Sequence, residues 1–166
     1  MGQWANYFLA TAGAASTLTG LIFIGLSINL QKILMITKLH VPSRALGSLL
    51  LLTNILIVSS LCLAPKQQMV YMGSEILSTG LMVWVINTWL DFISYKRVEK
   101  NLKTQYFKTL FFTQVAIIPF IMAGAVLLSG SGNGIYYLLP GISISFIKCL
   151  VDSWFLLVNV NQVEVL

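Results

Sequence analysis

The chain has 166 residues, of which 57% are hydrophobic and 9% charged, with a mean hydropathy of +0.86. A soluble globular domain carries about 25% charged residues, so this composition excludes the ordinary soluble class and points to an integral membrane protein. The formal charge of +5 does not indicate nucleic acid, because the basic residues fall in short connections and no field of Lys and Arg is interleaved with exposed aromatics.

Apolar blocks at about 6–30, 43–64, 69–95, 107–129 and 135–161 predict five membrane-spanning helices in one all-α transmembrane domain covering residues 1–166. Segments of this length do not make a barrel. The N-terminal "MGQWANYF" has no basic side chain, so the first block reads as a retained span and not as a cleaved leader. Within it, "AGAASTLTGLIFIGLS" places Gly13, Ser16, Thr17 and Gly20 on one face, with Ser27 further along. Small residues at such spacing let membrane helices approach closely. The partner is either another helix of the chain or a second subunit.

The first connection, "QKILMITKLHVPSR", carries Lys32, Lys38 and Arg44 without an acid. The third, "YKRVEKNLKTQYFK", carries Lys96, Arg97, Lys100, Lys103 and Lys108 against Glu99, while "SGSGNG" in the fourth is uncharged. Basic connections alternating with nearly neutral ones predict the N-terminus outside and the C-terminus in the cytoplasm. The third connection can also hold anionic lipid headgroups. Pro42 and Pro65 flank the second block, as helix boundaries favour. Pro119 lies inside the fourth, where it frees a backbone carbonyl.

The spans carry isolated polar residues: Asn29, Asn54, Asn87, Asp91 and Gln114, and Glu75 near the start of the third helix. Each needs a partner in lipid, and a carboxylate near a helix N-terminus is favoured by the dipole. The fifth block concentrates them. At about 100° per residue, Gly141, Ser145, Lys148, Asp152 and Asn159 fall within about 60° of arc. A lone lysine deep in a span costs roughly 2.5–3.5 kcal/mol, and Asp152, four residues on, can neutralise it. This stripe reads either as an ion or proton pathway or as a buried ion pair that fixes helix register.

Catalytic chemistry is not expected. His40 is the one histidine, and no His/Cys/Glu cluster has metal-ligand spacing. No glycine loop cradles a phosphate and no serine has an evident base. Cys62 and Cys149 lie in apolar blocks and read as small hydrophobes. No cofactor or metal is expected.

The segments "LTGLIFIGLSINLQKIL", "VPSRALGSLLLLTNILIVSSLCLAP" and "SWFLLVNVNQ" resemble a family of small bacterial multi-pass membrane proteins of unassigned function, some labelled modulators of the membrane protease FtsH. That resemblance implies a bacterial inner-membrane location. Five helices have few ways to enclose a wide aqueous path alone, so a homo-oligomer is expected. The functional expectation is an oligomeric ion- or proton-conducting protein; the alternative is a non-conducting regulator or scaffold that binds another membrane protein.

Overall fold

A computed structural model describes residues 2–28, 41–97 and 103–162. They form α1 (Gly2–Ile28), α2 (Val41–Leu63), α3 (Met69–Arg97), α4 (Lys103–Leu128) and α5 (Gly134–Gln162). Each helix contains a stretch long and apolar enough to cross a membrane. The helices run several residues past some of the expected limits. α3 continues through Lys96 and Arg97, and α4 already includes Lys103 and Lys108, which were assigned to a connection. Hydropathy marks where a hydrocarbon core would end, whereas the backbone ladder continues beyond it.

Short turns set the order of packing. Between α2 and α3 the chain reverses at Lys66, whose φ is +58°, while the Ala64 amide donates to Leu61 O at 3.1 Å. Between α4 and α5, Gly130 takes φ +79° and its amide donates to Leu127 O at 3.0 Å. A residue in this left-handed region caps the departing helix, and glycine does so without a Cβ penalty.

Packing joins α2 to α3, α3 to α4, α4 to α5 and α5 back to α2, so these four close a ring. α1 lies outside it, held chiefly by α2 with a small contact to α5. The ring interior holds Leu51, Ile55, Ile76, Ile117, Phe120 and Ile142, each at most 1% exposed. α1 adds Phe8 and Ala15 to the same core. Its polar link is Thr11 to Ser59 of α2, hydroxyl to hydroxyl at 2.9 Å.

Without a hydrophobic driving force in lipid, helices associate through close packing and interhelical hydrogen bonds. The α3–α4 pair shows the first device. A Cβ on Gly73 would stand 2.6 Å from Leu128 N, and one on Gly124 2.6 Å from Leu77 N. Each glycine thus lets the partner backbone close in. At the α4–α5 contact, Gly141 admits Pro119 and the Phe120 ring, both of which a Cβ would meet at 3.2 Å.

The small-residue face of α1 is used differently. Ser16, Thr17 and Ser27 are exposed, and a Cβ added at Gly13 or Gly20 would meet nothing within 4 Å. Thr17 and Ser27 donate to Gly13 O and Phe23 O of their own helix. Among the described residues, no other helix packs against this face. The buried members of α1 are Phe8, Thr11 and Ala15, on a different face.

Candidate functional site

Because α2 and α4 run opposite to α3 and α5, the start of α2, the end of α3, the start of α4 and the end of α5 share one end of the ring. Buried polar side chains gather toward that end. Ser48, Asn87, Thr113, Lys148 and Asp152 are each no more than 4% exposed and come from all four ring helices. Toward the other end lie Met72, Ile76, Leu127, Ile135 and Leu138, with the Thr11–Ser59 pair at the α1–α2 contact.

Asp152 is the centre of this cluster. Its Oδ2 accepts from Lys148 Nζ at 2.5 Å, the i, i+4 pair that the sequence predicts, and from Ser48 Oγ at 2.9 Å. Its Oδ1 accepts from Arg44 Nη2 at 2.7 Å and Arg44 Nε at 3.2 Å. An ionised carboxylate has about four acceptor positions, and all four are taken by side chains of this chain. The Asp152 and Lys148 side chains are 2% and 5% exposed, and that of Arg44 is 18% exposed.

Arg44 is the member that sequence reasoning missed, since it read as one of the basic residues of a connection. It stands in the first turn of α2, where Ser48 lies one turn further along the same face. Its guanidinium carbon also lies 3.9 Å from the centroid of the Phe155 ring, a cation–π geometry. A third link between α2 and α5 is the Cys149 thiol, which donates to Ser48 O at 3.4 Å. Both cysteines are free thiols, Cys149 buried and Cys62 half-buried.

The signal for Arg44 was its spacing to Ser48. A basic residue one turn before a small hydroxyl, at the mouth of an apolar helix, can reach a carboxylate carried by a neighbouring helix. Nothing in the local pattern names that neighbour.

The remaining polar residues separate. Ser145 Oγ donates to Ala116 O at 3.5 Å, so it ties α5 to α4. Gln114 Oε1 accepts from Trp84 Nε1 at 2.6 Å, and its Nε2 donates to Thr88 Oγ1 at 3.3 Å, which fastens α4 to α3. Asn87 Nδ2 donates to Val83 O at 3.0 Å, and its Oδ1 lies where a Cβ on Gly47 would stand, 2.9 Å away. Asn54 is fully buried, and neither of its amide atoms has a hydrogen-bond partner. Glu75 is not in the first turn of α3; it is exposed and accepts from Gln67 of the preceding turn. Asp91 is half-buried at the far end of the same helix.

The expected sites at Asn29 and Lys100 lie outside the described residues, as do the side chains of Asn159, Lys96, Arg97, Lys103 and Lys108. Among the described residues no group of three or more His, Cys, Asp or Glu side chains is placed to hold a metal. Comparison of the chain with models of protein families, with curated proteins and with solved structures finds no match.

What the cluster does chemically is hold two helices together by charge. Buried between packed helices, each member is fixed by the others. Removing one partner of a buried ion pair is far more costly than replacing both by apolar groups.

Proposed function

We propose that this chain is a non-conducting multi-pass membrane protein that acts as a regulator or scaffold for another membrane protein. The carrying observation is that Asp152 spends every acceptor position on Arg44, Ser48 and Lys148 of its own chain, between two packed helices. A conduction path needs charged groups that face a hydrated axis and exchange partners with what passes. A carboxylate saturated by fixed donors, and almost wholly buried, serves better as a latch.

The location and orientation go with this reading: a bacterial inner membrane, N-terminus outside and C-terminus in the cytoplasm, as the basic connections and the family resemblance imply. The contact surface is the small-residue face of α1 at Gly13, Ser16, Thr17 and Gly20, which no described helix covers. A second copy or a partner span can approach closely there.

Ion and proton flux in liposomes tests the proposal. Well-inserted wild-type protein should give no flux above empty vesicles over a range of pH and voltage. Flux that is present in wild type and lost in a folded Lys148→Met variant would overturn it and restore the pathway reading. Lys148→Met alone is the right control. Removing Asp152 as well would strand Arg44 without a counter-charge and confuse lost conduction with lost fold.

A further inference from the structure

The cluster is not electrically balanced. Arg44 and Lys148 are two cations, and both pair with one carboxylate, Asp152. One positive charge is in surplus, in a setting where uncompensated charge is expensive. Asp152 has no acceptor capacity left with which to offset it.

The surplus has one accessible edge. Lys148 and Asp152 are sealed, while Arg44 retains the larger exposure of the three. Both bonds of Arg44 to Asp152 use Nε and Nη2 on a single oxygen, and among the described residues its Nη1 donates no hydrogen bond. Arg44 lies in the first turn of α2, at the start of its apolar stretch, where a helix that crosses a membrane meets the headgroups. Trp89 of α3 and Trp154 of α5 face outward near the same end, 63% and 70% exposed, and such aromatic rings settle at headgroup depth. Phosphate is the anion that headgroups present at that depth, and a guanidinium edge matches its oxygens with two parallel donors.

We infer that the Arg44 edge of the cluster is a binding site for a phosphate-bearing anion, namely the headgroup of an anionic phospholipid, which completes the charge balance of the Arg44–Asp152–Lys148 group. The lipid acts as a fourth member of the α2–α5 latch. This does not depend on whether the protein has a protein partner, and it is distinct from general attraction of anionic lipid to the lysines of the connections. Those attract any negative surface, whereas this site depends on the buried surplus.

The experiment is thermal unfolding of the full chain in mild detergent, titrated with phosphatidylglycerol, with phosphatidylcholine, or with inorganic phosphate. Wild type and Lys148→Met are compared. The substitution removes the surplus charge, leaves the Arg44–Asp152 pair intact and leaves every basic residue of the connections in place. Phosphatidylglycerol should stabilise the wild type at concentrations at least about five-fold below those of phosphatidylcholine, and Lys148→Met should abolish that difference. Inorganic phosphate should not reproduce the effect at concentrations matching the lipid. If it does, the source is free anion and the assignment to lipid is overturned. A preference for phosphatidylglycerol that survives Lys148→Met overturns the site itself and transfers the effect to the basic connections. If Lys148→Met unfolds too readily to titrate, native mass spectrometry of lipid retention on Arg44→Lys replaces it. Arg44→Lys keeps the charge but loses the fork, so retained phosphatidylglycerol should fall by about five-fold; unchanged retention counts against the site.

Discussion

The Arg44 guanidinium is held from two sides by α5, with Asp152 Oδ1 2.7 Å from Nη2 and the Phe155 ring centroid 3.9 Å from the central carbon. Both contacts depend on a planar, delocalised cation. An ammonium can make one of them at a time. Arg44→Lys should therefore destabilise the fold by about 1–2 kcal/mol despite conserving charge. Equilibrium unfolding in mixed detergent micelles measures this, and an unchanged midpoint would mean that the stacking and the second hydrogen bond contribute nothing.

The three charges of the cluster are not equivalent, and single substitutions should rank them. Asp152→Asn leaves Arg44 and Lys148 without a counter-charge between packed helices and should cost about 3–5 kcal/mol. Lys148→Met leaves a balanced pair and should change stability by less than about 1 kcal/mol. The same unfolding assay decides, and equal effects of the two substitutions would remove the central role given to Asp152.

Glycines that look alike in sequence should respond in opposite ways. At Gly73 and Gly124 a new Cβ would collide with the backbone of the facing helix, so alanine should destabilise by about 1–3 kcal/mol. At Gly13 and Gly20 there is open space, and alanine should be neutral or stabilising by up to about 1 kcal/mol. If the α1 face is a contact surface, leucine at Gly13 will leave unfolding unchanged while reducing self-association or partner capture. Chemical crosslinking across a dilution series reads the self-association arm.

Asn54 buries an amide without a hydrogen-bond partner at the centre of the bundle. Leucine keeps the γ-branch and has no polar atoms to desolvate, so Asn54→Leu removes a desolvation cost of about 1–3 kcal/mol, and a net gain in stability is expected after the strain of its larger volume. A loss of stability on the same substitution would show that the amide is paired in solution.

Much of this structure could be read from residue order, for physical reasons that particular residues make plain. Long apolar blocks gave the helices because lipid leaves a spanning backbone little alternative. Lys148 and Asp152 were legible as a pair because i, i+4 neighbours share a helix face. Arg44 was not legible, since its partner lies 108 residues away and a basic residue beside a span usually marks topology. Gly13 and Gly73 illustrate the same boundary. Both are glycines in apolar helices, and only the packing order of the ring separates the one that meets a neighbouring backbone from the one that does not. Helix limits at Arg97 and Lys103 were also beyond reach, because hydropathy stops reporting once the residues turn polar while the backbone ladder continues.

The ring closes on the last helix to be synthesised among those described. While α2, α3 and α4 enter the bilayer, Arg44 sits at its boundary without the carboxylate that will hold it, and the chain between them must be completed before the charges meet. A nascent chain stalled or truncated ahead of α5 thus exposes an unpaired guanidinium and an open side of α2. The finished bundle hides both. The Arg44–Asp152 contact thus separates a whole chain from an interrupted one by an electrostatic difference.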